Sequence, residues 1–137
     1  MKIGIITAMS SEHKQVAQLL NNKKEHTEGI YSYTEGCIGN NTIILTQCGI
    51  GKVNAAAGAV ELIRGFQPDC IISTGVAGGI DKCLKVMDVV ASKQIVYHDV
   101  WCGEGNAYGQ VQGLPTYFKG NDSLFNCAMS LDTDTAI

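Results

Sequence analysis

Short runs of apolar residues alternate with stretches of helical pattern along the chain. The runs are rich in β-branched residues, as in strands that are buried on both faces of a sheet. The predicted strands cover residues 2–7, 30–38, 42–48 and 70–74. The segment Gly39-Asn40-Asn41 is a hairpin-type connection between the second and third of these strands.

Helices are predicted between the strands. Ser10 or Ser11 is expected to cap a helix that runs to about Leu20. A second helix, from about Val53 to Phe66, consists almost entirely of small or apolar residues and can therefore lie close against a sheet. Three further assignments follow from composition: a polar turn at NNKKEH, a long β-rich stretch over 86–98 and a last helix over 121–131.

Strands that alternate with helices indicate an α/β fold with a central mixed, mostly parallel β-sheet flanked by helices. We expect residues 1–137 to form a single α/β domain. The ending DTDTAI follows a helix and begins to look like the approach to another strand. We therefore expect the fold to be incomplete at its C-terminus, with this chain as the front part of something longer.

Charge and cysteine content narrow the class of protein. The net charge is −3 with no block of Lys or Arg, which argues against a nucleic-acid or anionic-membrane surface. Charged residues make up only 17% against about 25% in typical domains, so some surface is expected to be covered. No apolar stretch approaches the ~18 residues of a membrane span. Without a signal peptide, the six cysteines indicate reduced, mostly buried thiols in a cytoplasmic protein.

Ligands of open α/β sheets bind beyond the carboxyl ends of the strands. Three segments are expected to converge there: residues 8–12, 49–52 and 75–79. The segment 49–52 is no phosphate-binding P-loop, because Val53 stands where that motif needs Ser or Thr. It forms either a tight turn or a turn that presents Ile50 as an apolar pocket wall. The glycines of 75–79 allow a ligand to approach the backbone closely.

Glu12 is the candidate catalytic residue, and two interpretations stay open. It is either a solvated carboxylate favoured by the helix dipole, or a partly buried one with a raised pKa that acts as a general base on water. The three histidines are too scattered for a metal site. The Gly-rich aromatic stretch 97–118 suits a subunit interface or a lid, or else a flap of the core.

Five segments together resemble the amino-terminal half to two thirds of a known family. They are MKIGIITAM-SSE, QCGIGKVNAAA, PDCIISTGVAGG, VMDVVAS and YHD, and the similarity runs from Met1 to about Leu131. The family is that of the 5′-methylthioadenosine/S-adenosylhomocysteine nucleosidases, within the purine nucleoside phosphorylase superfamily. The resemblance implies an enzyme that hydrolyses the N-glycosidic bond and releases adenine. It also implies a cytoplasmic homodimer without metal or cofactor.

The resemblance assigns roles to individual residues. Glu12 matches the water-activating carboxylate, while Met9 and Ile50 match apolar positions of the sugar and alkylthio pocket. The loop under the nucleoside corresponds to Val76, Ala77 and Gly78, where Val76 replaces the serine of many members. The region that reaches into the partner subunit's active site corresponds to residues 100–114. Its candidate interface residues are Val100, Trp101, Tyr108 and Leu114.

The family's purine-protonating aspartate and ribose-binding glutamate belong to its carboxyl-terminal half. We therefore expect this polypeptide alone to be weakly active or inactive. Two alternatives remain: a phosphorylase that uses phosphate in place of water, and a non-catalytic fragment that binds nucleosides or dimerises.

Overall fold

The computed structural model describes residues 1–131. These residues divide into two compact units, Met1–Gly78 and a second unit that begins at Gly79. The expected single domain stays a prediction.

The first unit is a five-stranded sheet with two helices. In chain order its elements are β1 (Lys2–Thr7), α1 (Ser10–Gln18), β2 (Asn21–Glu28), β3 (Tyr31–Ile38), β4 (Asn41–Gln47), α2 (Lys52–Phe66) and β5 (Cys70–Ser73). The strand order is β2-β3-β4-β1-β5. Strand β1 pairs in parallel with β4 and β5, whereas β2–β3 and β3–β4 are antiparallel. The mixed α/β sheet is confirmed. The expectation that it is mostly parallel is wrong, because two of its four strand pairings are parallel and two are antiparallel.

Each face of this sheet packs against one helix. Neighbouring residues of a strand point to opposite faces, so Ile5 and Ile43 belong to the cluster under α1 while Ile6 and Ile44 belong to the cluster under α2. All four side chains are buried. The runs 2–7 and 42–48 were therefore correctly interpreted as strands covered on both sides. The same interpretation is wrong for β5, in which Cys70 and Ile71 are half-buried and Ile72 and Ser73 are exposed.

Helix α2 lies close to the sheet at Gly58. A methyl group added there would lie 2.6 Å from Cβ of Cys48, which is well inside van der Waals contact. The small residues of this helix thus allow a close approach, as the sequence predicts.

Strand β2 corrects the prediction of a polar turn at NNKKEH. Its residues are mostly exposed, but the backbone pairs with β3, and His26 stacks on Tyr33 with ring centroids 5.4 Å apart. A charged edge strand has no apolar alternation to reveal it, and such charges discourage pairing with other chains.

The predicted serine cap of α1 is also wrong. The N-cap is Met9, and its side chain makes no capping bond. Instead the carboxylate of Glu12, the third residue of the helix, accepts the backbone N–H of Met9 at 2.8 Å. A glutamate at this position commonly reaches back in this way.

Over residues 79–131, the second unit has little regular structure. It contains a two-stranded antiparallel pair, β6 (Gln94–Ile95) with β7 (Phe118–Lys119), and helix α3 (Asp122–Met129). The last helix was correctly predicted. The prediction of a long β-rich stretch over 86–98 is wrong except at Gln94–Ile95. β-Branched residues favour a strand, but a strand also needs a partner, and only Gln94–Ile95 is paired here. The predicted approach to another strand after α3 lies outside the described residues.

All six cysteines are free, and only Cys48 is buried. The expectation of mostly buried thiols is therefore wrong: Cys83 and Cys127 are exposed and the other three are half-buried. Within residues 1–131, the helices are too short or too polar to cross a membrane.

Candidate active site

The parallel strands β1, β4 and β5 end side by side. Thr7 is in register with Gln47, and Ile6 with Ser73, so all three strands end at one edge of the sheet. Segments 8–12, 49–52 and 75–78 leave the sheet at this edge, as predicted.

Glu12 lies at this edge with its carboxylate surrounded by backbone amides. Oε2 accepts the N–H groups of Ala8 at 3.0 Å and Met9 at 2.8 Å. Oε1 accepts the N–H of Val76, from the loop after β5, at 2.9 Å. The residue is only 8% exposed. One side chain thus connects the turn after β1, helix α1 and the loop after β5.

These hydrogen bonds decide the charge of Glu12. The backbone N–H groups of Val76 and Met9 lower the pKa of the carboxyl group below 4.5, with a smaller contribution from Ala8, and outweigh the opposing effect of burial. The expected raised pKa is therefore wrong, and so is the alternative of a solvated carboxylate. Glu12 is a buried carboxylate that is ionised at neutral pH.

The contact between Glu12 and Val76 needs a glycine at position 75, because a side chain there would collide with the carboxylate. A Cβ atom at Gly75 would lie 2.5 Å from Oε1 of Glu12, closer than any real Cβ contact. Sequence reasoning had noted only that glycines here allow close approach to a ligand. In the structure the group that approaches is a carboxylate of the protein itself.

The turn after β4 presents Ile50 outward. Gly49 and Gly51 have φ of 93° and 99°, which favour glycine, and Ile50 between them is 72% exposed. The Asn54 side-chain amide donates to the Ile50 carbonyl at 2.8 Å and closes the turn. Asn54 was missed by sequence reasoning, although an Asn in the first turn of a helix is a known signal of such side chain to backbone bonds.

The remaining predicted pocket residues of the first unit surround Glu12 unevenly. Met9 is half-buried beside it through the backbone contact, whereas Val76, Ala77 and Gly78 are exposed. The Val76 N–H donates to Glu12. The Val76 side chain points away from the packed interior, with 78% of its surface exposed.

The predicted interface residues all lie in the second unit. Trp101, Tyr108 and Leu114 are exposed, and Val100 is half-buried. The Tyr108 hydroxyl donates to the His98 carbonyl at 2.9 Å, and the Gly109 N–H donates to the Val100 carbonyl at 2.8 Å. These bonds close the segment 98–109 into a loop with aromatic side chains on its surface.

Cys48 directly follows β4 and lies next to the carboxyl end of β1. Its Sγ atom lies 3.3 Å from the Thr7 carbonyl oxygen and 3.2 Å from that of Gly49, so the single thiol proton is shared between these two acceptors. Burial raises the pKa of the Cys48 thiol, which keeps it protonated and unreactive. Across residues 1–131, no three His, Cys, Asp or Glu side chains are grouped to hold a metal ion.

Comparison with known proteins places this arrangement in a family. The family model described as the phosphorylase superfamily matches residues 2–135. The chain belongs to the phosphorylase superfamily. The fold and the convergence of strand ends described above are those of a member of this superfamily.

Superfamily members of known activity are similar over most of this chain. The 5′-methylthioadenosine/S-adenosylhomocysteine nucleosidase of Actinobacillus succinogenes is 43% identical over 125 residues, which cover 90% of this chain and 54% of that protein. The corresponding enzyme of Exiguobacterium is 42% identical with the same coverage. The predicted resemblance is confirmed. The chain spans about half the length of the curated relatives it matches.

Solved structures agree with the sequence comparison. The nucleosidase of Neisseria meningitidis in complex with methylthio-immucillin-A superposes with a TM-score of 0.88 at 39% identity, over 93% of this chain and 56% of that one. The Streptococcus pneumoniae nucleosidase with a transition-state inhibitor gives 0.90 at 37% identity, over 96% and 58%. The expected nucleoside phosphorylase-like fold is confirmed.

Proposed function

We propose that the protein hydrolyses the N-glycosidic bond of 5′-methylthioadenosine or S-adenosylhomocysteine, with Glu12 as the group that activates water. The observation that carries this proposal is the Glu12 carboxylate, buried and ionised at the edge where three parallel strands end. The nucleosidase relatives supply the reaction and the substrate class. The proposed reaction needs neither metal nor cofactor.

The hydrogen bonds of Glu12 leave one position for water. A carboxylate oxygen has two lone pairs. Those of Oε2 accept from Ala8 and Met9, whereas among residues 1–131 Oε1 accepts only from Val76. The second lone pair of Oε1 is thus the acceptor that we assign to the attacking water. Water bound there would point a lone pair toward the anomeric carbon of the sugar.

The lowered pKa of Glu12 is compatible with this role. Breaking a glycosidic bond develops oxocarbenium character on the sugar before the nucleophile is fully bonded. Such a carbon needs an oriented water more than a strongly basic one. As the C–N bond breaks, its electron pair leaves with adenine, which takes up a proton from solvent or from the aspartate that the resemblance assigns to the family's carboxyl-terminal half. The ionised Glu12 stabilises the positive charge on the sugar and takes a proton from the water as the C–O bond forms.

We assign the sugar and its alkylthio group to apolar side chains at the same strand ends. Met9 adjoins Glu12, and Ile50 presents an exposed aliphatic side chain from the turn after β4. Val76, Ala77 and Gly78 form the loop that we place under the nucleoside. With a valine at position 76, this loop offers the ligand an aliphatic surface instead of a hydroxyl group.

We further propose that the protein acts as a cytoplasmic homodimer. In this proposal Val100, Trp101, Tyr108 and Leu114 contact the second copy, and the exposure of the last three supports it. Helix α2 carries a second apolar surface, formed by Val53, Ala56, Ala57 and Val60. These positions follow the spacing of one helix face, and all four are exposed. The six free thiols are consistent with a reducing compartment.

The test is adenine release from methylthioadenosine by the purified chain, measured with and without phosphate. We expect the chain alone to show only weak release, as the resemblance implies, that does not depend on phosphate and that is lost in Glu12→Gln, because loss of a general base costs about 10²- to 10⁴-fold. Glu35→Gln is the matched control, because Glu35 lies on β3, half-exposed beside His26.

Each alternative has its own outcome. Release that requires phosphate would identify a phosphorylase. Binding of methylthioadenosine without turnover, in a chain shown to be folded, would identify a non-catalytic nucleoside-binding protein. Either result, or equal activity in the parent and Glu12→Gln, would overturn the proposed hydrolase.

A further inference from the structure

His13 follows Glu12 in α1 but points toward a different part of the sheet. Successive helix positions are about 100° apart around the axis. While Glu12 reaches the loop after β5, the Nε2 atom of His13 lies 3.2 Å from Oγ1 of Thr34 on β3. Thr34 is nearly fully buried, at 3% exposure. This polar contact to β3 therefore comes from the turn of helix that carries Glu12.

The two contacts hold this turn from opposite sides. In the strand order β2-β3-β4-β1-β5, Thr34 lies on one side of the β4–β1 pair and Val76 follows β5 on the other. The apolar residues by which α1 packs on the sheet, Val16 and Ala17, lie further along the helix. Losing the contact with β3 would leave the first turn held mainly through Glu12 itself.

The His13 ring is suited to this role only while it is neutral. Its Nδ1 atom is buried and has no hydrogen-bond partner among the described residues. A second proton on the ring would therefore create a buried cation with an unpaired N–H. Burial lowers the pKa of His13 below 6.5, although the negative charge of Glu25 opposes this.

The titratable groups around His13 come from β2, β3 and α1. On β2, Glu25 is paired with Thr34, and both Glu25 and His26 line the same cavity of about 230 Å³ as His13. The His26 ring stacks on Tyr33 of β3, which also lines this cavity. On β3, Glu35 is paired with Ile44, which belongs to the core on the other face. On β4, Leu45 is apolar and is paired with Thr34. Along α1, Glu12 is held by backbone amides and Lys14 is exposed.

We propose that His13 is a positioning residue for Glu12: its neutral imidazole fixes the first turn of α1 to Thr34 and thereby keeps the Glu12 carboxylate on the Val76 amide. The role of Glu12 as the water-activating group rests on the proposed function. The geometric effect on Glu12 does not, and it can be measured without any turnover.

The experiment follows the backbone amide signals of Ala8, Met9 and Val76 by ¹H–¹⁵N NMR of the purified chain, because these amides donate to Glu12. In His13→Ala we expect the Val76 signal to move and its amide to exchange with solvent about tenfold faster, as for loss of one hydrogen bond. Val16→Ala is the control. It weakens the packing of α1 but leaves the contact with Thr34 in place, so the three signals should stay.

Two further variants separate positioning from general destabilisation. His13→Gln places an amide nitrogen near the position of Nε2, and we expect it to restore the three signals. The parent signals should also shift as the pH falls from 7 to about 5, through the lowered pKa of His13. The His13→Gln signals should not shift in this range. Thr34→Val removes the partner hydroxyl and should change the three signals as His13→Ala does. It tests the same contact if His13→Ala folds poorly.

Unchanged signals in both His13→Ala and Thr34→Val would overturn the proposal. So would a failure of His13→Gln to restore them, or an equal response in Val16→Ala. Moved signals in His13→Ala with unchanged adenine release would support the positioning of Glu12 and would instead count against the proposed function.

Discussion

Glu12 combines a helix cap and a buried anion in one side chain. Its two oxygens accept three backbone N–H groups from Ala8, Met9 and Val76. A charged acceptor strengthens each of these bonds, and the same bonds lower the pKa of Glu12. The carboxylate that we assign to catalysis therefore also stabilises the fold. Substitutions at Glu12 and at Gly75 test these two roles separately.

Replacing Glu12 by Gln should destabilise the protein in a pH-dependent way. A Gln has one oxygen and an NH₂ group, so at least one backbone N–H loses its acceptor, at a cost of roughly 1–3 kcal/mol. Because the folded-state pKa of Glu12 is lowered, its stabilising effect is complete above about pH 4.5 and is lost as the pH falls through the folded value. Urea unfolding at pH 7 and at lower pH measures both effects. A difference between parent and variant that stays constant as the pH falls would contradict this explanation.

Gly75→Ala should displace the carboxylate without removing it. The new methyl group would lie 2.5 Å from Oε1, so the side chain must move and lose the Val76 N–H, which contributes most to the lowered pKa. We expect the pKa of Glu12 to rise toward 4.5, as followed by ¹³C NMR of the carboxyl carbon. Gly78→Ala is the matched control, because a methyl group there meets no atom within 4 Å. An equal change in both variants would exclude the steric explanation.

Among the elements, those with a strong apolar pattern were predictable and those without one were not. Strands β1, β4 and β5 and helix α2 agree with the prediction to within two residues. In β1 and β4, burial on both faces leaves a continuous apolar run. In β5 an equally apolar run is half-buried to exposed. Strand β2 has only its backbone pairing with β3 to define it, and no pattern in NNKKEH reports a partner strand. Over 86–98 the opposite error arose, since apolar residues such as Val86 and Val89 remain exposed.

Helix α2 offers a test of how closely it packs on the sheet. Gly58→Ala brings a methyl group to 2.6 Å from Cβ of Cys48, and such overpacking typically costs about 1–3 kcal/mol. A gain of about 0.5–1 kcal/mol in helix propensity offsets only part of this. We therefore expect a lower urea midpoint than for the parent protein.

Gly65→Ala in the same helix is the control with the opposite sign. A methyl group there lies 3.5 Å from Glu28, an ordinary contact, so only the propensity gain of about 0.5–1 kcal/mol remains. Equal effects of the two substitutions would show that close packing at Gly58 does not limit stability.

Across the whole molecule, the sequence predicted the place of the candidate site but not its electrostatics. The convergence of strand ends follows from topology, and Glu12 could be located from its position one helical turn after β1. The lowered pKa could not, because it depends on the Val76 amide, which is 64 residues away in the chain. The low fraction of charged residues indicated that some surface would be covered, but it did not indicate which residues. In the folded chain the apolar residues concerned remain exposed to solvent.

That uncovered surface is the basis of the last prediction, which concerns association. Val60 lies on the apolar face of α2 and, together with Ile30, Tyr31 and Ala57, lines an open groove of about 690 Å³. If a second copy covers this face, the parent should sediment as a dimer. A lysine at position 60 would then be buried without a partner, so Val60→Lys should raise the dimer dissociation constant at least about tenfold.

The control is Leu19→Lys. Leu19 is also an exposed aliphatic residue, but it lies at the end of α1 on the opposite face of the sheet, so this substitution should leave the constant unchanged. Sedimentation equilibrium measures all three proteins. A monomeric parent would refute the homodimer, whereas a dimer insensitive to Val60→Lys would restrict the interface to other residues, with Trp101 and Tyr108 the next to substitute.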